Sequence, residues 1–125
     1  MKEQVLIDFF RGRLDASELA ADLEGAYVEE AQGVLALHAE AAGEPHLVRR
    51  SDLIRLLRAV LDGDIDPHLL EAAGDCLTMS ETFHFDPTDA ELLSDIAHQL
   101  GTPELGYPLD RPHIALFLGW LEDGV

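Results

Sequence analysis

The sequence predicts a mainly α protein, a single-domain helical bundle of about five or six helices spanning residues 1–125, with a small β-hairpin near 33–50. Three observations predict it. Apolar residues recur at helical spacing in successive segments, and isolated glycines close most of those segments. A hydrophobic content of 47% over 125 residues is enough to fill one core. No low-complexity linker divides the chain.

Val5, Leu6, Phe9 and Phe10 form the stripe of a first helix that Gly12 ends. Asp15 caps the second, and Asp15-Ala-Ser-Glu18 has the spacing of a capping box ahead of Leu19, Ala20 and Leu23. Between Tyr27 and Arg50 two readings compete: Ala and Glu at 28–42 suit a helix that Gly33 would interrupt, whereas VLALHAE and HLVRR flank AAGEP like two strands around a turn, and the hairpin is favoured. Ser51 caps a central helix carrying Leu53, Leu56, Leu57, Val60 and Leu61, closed by Gly63. Asp66-Pro67 starts the next helix, with Leu69, Leu70, Ala73, Cys76 and Leu77 on one face.

The corner FFRGRLDASEL at 9–19 aligns without gaps to VLDGDIDPHLL at 60–70. Either an old duplication or convergence explains this, and convergence is favoured, because a glycine stop, an apolar plug and an aspartate cap are what such a corner requires. Asp86-Pro87 and Thr88-Asp-Ala-Glu91 are two competing starts for a helix with Leu92, Leu93, Ile96, Ala97 and Leu100, ended by Gly101. GTPELGYPLDRP reads as a loop, and HIALFLGWLED as a last helix with Ile114, Phe117, Leu118 and Leu121 inward.

The formal net charge of -17 argues against nucleic acid and anionic membrane as partners and fits a basic protein partner, though it also serves solubility alone. Residues 59–125 hold 14 of the 25 acidic residues and a single basic one, Arg111. No apolar run approaches a membrane span, and MKEQVLIDFFRGR lacks the pattern of a signal peptide, so a cytoplasmic protein is expected. One cysteine excludes an internal disulfide and agrees with a reducing compartment. Arg49, Arg50, Arg55 and Arg58 make one basic patch, expected to pair with neighbouring carboxylates.

No constellation of residues points to catalysis. Asp62, Asp64 and Asp66 alternate as calcium ligands do, but the glycine and glutamate that complete such a loop are absent. His84 with Asp86, and Asp95 with His98, fall short of the three or four donors of a zinc site. Cys76 sits on an apolar helix face as a buried, inert thiol. Neither a GxSxG elbow nor a glycine-rich phosphate loop occurs, and no catalytic residue, cofactor or metal ligand is assigned.

The opening LIDFFRGRLDASELAADLEG, through Leu6, Ile7, Phe10, Gly12, Leu14, Ser17, Glu18 and Leu19, resembles the start of the bacterial colicin-like immunity family. In that family a first helix ends in a phenylalanine-x-glycine-x-Leu/Ile corner before an acidic, capped second helix. The tail YPLDRPHIALFLGWLE has no counterpart there. The resemblance implies a non-enzymatic inhibitor that occupies the active site of a toxin, commonly a basic nuclease. The densest acidic face, Asp62, Asp64 and Asp66 with Glu71 and Asp75, is the expected contact surface, with Tyr107 as an aromatic anchor. A self-associating helical module built on Tyr107, Trp120 and the last helix is the alternative, and a His/Asp metal protein using His84, Asp86 and His98 the third.

Overall fold

The computed structural model describes residues 1–123, apart from the side chains of Glu29, Glu30 and Val34. Its elements run α1 (Glu3–Phe10), α2 (Ala16–Glu24), β1 (Tyr27–Ala31), β2 (Val34–Leu37), β3 (His46–Val48), α3 (Arg50–Leu61), α4 (Leu70–Met79), β4 (Phe83–Phe85), α5 (Ala90–Gly101) and α6 (Arg111–Asp123). Short 3-10 turns at Pro67–Leu69 and Pro103–Leu105 precede α4 and follow α5. The chain is thus mainly α, with two small sheets of two strands each. Among the described residues no helix is long and apolar enough to cross a membrane.

The two aligned corners close alike. After α1, Arg13 N–H reaches the Asp8 carbonyl and Gly12 N–H that of Phe9; after α3, Asp64 N–H reaches Ala59 and Gly63 N–H reaches Val60. These nested pairs form the Schellman motif, and both glycines hold the left-handed φ it needs, +75° at Gly12 and +87° at Gly63. The following caps differ. Asp15 accepts from the Glu18 N–H at 3.0 Å, whereas Asp66 holds the cap position with no side-chain cap bond, because Pro67 opens a 3-10 turn. The central helix is not capped by Ser51, which lies inside its first turn. Arg49 takes the cap position, and its backbone N–H donates to the Asp52 carboxylate at 3.1 Å. Before α5, Asp86 accepts the Thr88 N–H in a turn and the helix begins at Ala90.

The hairpin within 33–50 takes a different form. VLAL pairs backward with Tyr27–Ala31, antiparallel, and Gly33 at φ +79° lies in the turn between them. HLV joins FHF at 83–85 in a parallel pair, with α3 and α4 as the crossover between its strands. The AAGEP segment cannot turn back because it is bound to α1: Glu3 N–H donates to the Glu40 carbonyl at 2.9 Å, and Ala42 N–H donates to the Glu3 carboxylate at 3.0 Å.

Leu6, Ile7, Leu19, Leu53, Leu56, Leu57, Leu70, Leu93, Ile96 and Phe117 are fully buried in one continuous core. Each such leucine contributes about 1.5–3 kcal/mol relative to exposure. Helix α4 packs against α5 and α3 against α6. The α4–α5 crossing is set by glycine: a Cβ on Gly74 would lie 2.5 Å from the Gly101 nitrogen and 2.8 Å from the Ala97 carbonyl oxygen. Backbone stands there, so nothing flexible can yield. Gly74→Ala is therefore expected to destabilise by about 1–3 kcal/mol. Gly119→Ala in α6, where an added Cβ meets nothing within 4 Å, should stabilise by about 0.5–1 kcal/mol. Urea unfolding of both variants checks this, and equal effects would refute the tight crossing.

Candidate functional site

The acidic residues divide by what holds them. Asp89 binds Arg50 at 2.5 Å, Glu44 binds Arg11 at 2.6 Å, Glu122 binds Arg58, and Asp110 binds His113 at 2.6 Å. Asp52 accepts from the buried His46 ring at 3.0 Å. Of the four arginines of the basic patch, Arg50 and Arg58 are thus paired with carboxylates; Arg50 also donates to the Leu121 carbonyl at 2.8 Å, and the Arg55 guanidinium lies 5.2 Å from the centre of the Phe9 ring. By contrast, Asp62, Asp64 and Asp66 are exposed on the Gly63 corner, and their carboxylates make no hydrogen bond or ion pair among the described residues. Arg111, the single basic residue of the second half, donates to the Leu61 carbonyl at 2.6 Å, at the end of α3 beside this corner.

The six sequence-predicted contact residues fall into three places. Asp62, Asp64 and Asp66 share the corner. Glu71 and Asp75 lie one turn apart on α4 and gather around Tyr27 of β1, whose hydroxyl donates to Asp75 at 2.5 Å. Tyr107 stands apart, its ring 5.2 Å from His113, 5.6 Å from Phe117 and 6.2 Å from Trp120. Burial, and then the charges of Asp75 and Glu104, push the Glu71 carboxyl above its ordinary value. Burial, then the Asp75 bond and charge, push the Tyr27 phenol up as well. Tyr27 and Glu104 are the members the sequence did not reveal. The i, i+4 spacing of Glu71 and Asp75 was visible there, but the strand that brings Tyr27 against them was not.

Between β2, the start of α1 and α4 lies a cavity of about 540 Å³, lined by Glu3, Tyr27, Leu35, Leu37, Asp75 and Met79 among others. At its floor Glu3 is 4% exposed and accepts from the Thr82 hydroxyl at 2.6 Å, the Ser80 hydroxyl, the Ala42 N–H and, at 3.8 Å, the Cys76 thiol. Burial alone would raise its pKa, but these four donors together outweigh burial and hold the carboxyl below its ordinary value. Cys76 answers in the opposite sense, its thiol pushed up to about 12 by burial and then by the Glu3 charge. The thiol is therefore protonated at neutral pH and is no nucleophile. Among the described residues, no group of three or more His, Cys, Asp or Glu could hold a metal ion.

Comparison of the chain with protein-family models, with curated proteins and with solved structures finds no match.

The two perturbed glutamates impose opposite pH dependences on stability. A carboxyl lowered on folding stabilises above its unfolded pKa, near 4.5, and loses that contribution as pH falls through the lower folded value. One raised on folding weakens the fold above its folded value, and the penalty vanishes below 4.5. Glu71→Gln is therefore expected to be more stable than the wild type at neutral pH, with the gain disappearing in acid. Glu3→Gln should be less stable at neutral pH, with the deficit shrinking in acid. Urea midpoints followed from neutral to acidic pH test both, and profiles parallel to the wild type would refute the assignments.

Proposed function

We propose that this chain is a non-enzymatic binding protein of the cytoplasm, an immunity-type inhibitor that docks on a basic, nuclease-like toxin through the Asp62, Asp64 and Asp66 corner. The observation that carries this reading is the unengaged state of those carboxylates on a corner whose backbone is locked by a Schellman motif. Rigid, exposed, unneutralised charge raises the rate of encounter with a cationic surface and loses little side-chain freedom on docking. A nuclease active site, shaped to bind phosphates, is such a surface. The resemblance of the first helix-corner-helix to colicin-like immunity proteins supports the same reading. Glu71 and Asp75 extend the negative field along α4.

A second reading has its own observation. Leu105, Leu116, Tyr107 and Trp120 are 82%, 40%, 38% and 37% exposed, and Tyr107 and Trp120 are in ring contact. A homo-oligomer would cover these side chains.

Salt separates the two. On the first reading, the tagged chain retains a stoichiometric basic protein at low salt and releases it at high salt. The purified pair then shows inhibited nuclease activity. The Asp62/Asp64/Asp66 triple alanine variant should unfold at the wild-type temperature yet associate at least about tenfold more slowly. Unchanged association of that folded variant would sink the choice of face. An oligomer by light scattering that holds or tightens as salt rises would favour the second reading.

A further inference from the structure

The cavity between β2 and α4 combines features that select one kind of occupant. Its volume of about 540 Å³ is that of a small-molecule site. Leu35, Leu37 and Met79 give it apolar walls, with Leu35 67% and Met79 75% exposed. Among the described residues two carboxylates, Glu3 and Asp75, line it, and no lysine, arginine or histidine does. All four donors to Glu3 are neutral, as is the Tyr27 hydroxyl on Asp75, so hydrogen bonding holds the negative charge in place without cancelling it. The Met1 ammonium, whose charge reaches Cys76, donates to the His38 carbonyl at 2.9 Å and does not line the cavity.

We infer that this cavity binds an aliphatic ammonium group, an apolar chain that lies along Leu35, Leu37 and Met79 and ends in a positive charge near Glu3 and Asp75. An anion is repelled, and a bare metal ion would meet apolar walls and a Glu3 whose oxygens are already occupied by donors. An alkylammonium satisfies the walls and the charge together, since the stem covers the apolar side chains and the head is attracted to the two carboxylates. This inference stands apart from the Asp62, Asp64 and Asp66 corner, none of which lines the cavity, and shares only Asp75 with the wider acidic face. The same chemistry could be brought by a free aliphatic amine or by a lysine side chain of a protein.

The test is an NMR titration of the full chain with n-pentylamine, with n-pentanol as the uncharged control, and with a lysine-containing peptide. Saturable shifts at Leu35, Leu37 and Met79 with pentylamine and none with pentanol are expected. Asp75→Asn, which keeps an acceptor for Tyr27, should weaken amine binding about tenfold. Peptide that displaces pentylamine and binds more tightly assigns the group to a protein lysine; peptide that fails to displace it assigns a free amine. Pentanol binding as well as pentylamine, or no shift at these residues with millimolar amine, would overturn the inference. Glu3→Gln, if it folds, should weaken the amine in the same sense, while the comparison of amine with alcohol on the wild-type chain needs no variant.

Discussion

A buried carboxylate needs donors on every side, and Glu3 obtains them from three separate parts of the chain. Ala42 comes from the segment after the hairpin, Cys76 from α4, and Ser80 and Thr82 from the link to β4. The arrangement is all-or-none in its logic, because an ionised group with one donor missing would be left unsatisfied in an apolar surrounding. It also explains the course of the chain nearby. With Glu40 and Ala42 bound along the start of α1, the hairpin must close earlier, about Gly33, and β3 must find its partner elsewhere. It finds β4, and the parallel pair holds His46 between Phe10 and Phe83, with its ring on Asp52.

With so few cations, the chain allots its acids selectively. Carboxylates that face Arg11, Arg50 and Arg58 join loops and helices distant in sequence, and Asp15 and Asp110 accept backbone N–H groups at helix starts. Among the described residues several carboxylates without a partner, such as Glu18, Glu24, Glu91 and Asp95, stand elsewhere on the exposed surface, while others are grouped. Three stand on one rigid corner, and Glu71, Asp75 and Glu104 gather around Tyr27, where burial first and then the neighbouring charges raise the Glu71 pKa. Mutual repulsion of this kind persists in a fold only where other contacts outweigh it, and here the apolar packing of α4 on α5, drawn close by Gly74 and Gly101, supplies them.

Helices were legible in the sequence where an apolar stripe ended in a glycine, as at Leu53–Leu61 with Gly63, because spacing and stop signal are both local. The two corners were legible for the same reason. What failed to show were pairings between distant segments. FHF at 83–85 carries too few residues to display a period, and HLV at 46–48 gives no sign that its partner lies beyond two helices. Asp66 illustrates the limit in a single residue: its type and position indicate a cap, yet Pro67 turns the following backbone into a 3-10 turn and leaves the carboxylate free. The Asp62, Asp64 and Asp66 cluster was readable as a run, whereas Tyr27 and Glu104 joined Glu71 and Asp75 only through tertiary contact.

The contacts of Glu3 span sequence separations of 77 and 79 residues to Ser80 and Thr82. During synthesis, α1 and α2 emerge long before their donors exist, so the N-terminal third leaves the ribosome with its central carboxylate still solvated. Burying Glu3 before residues 80–82 are in place would leave its charge short of two donors, so closure of the start of α1 into the core is linked to the arrival of the segment between α4 and β4.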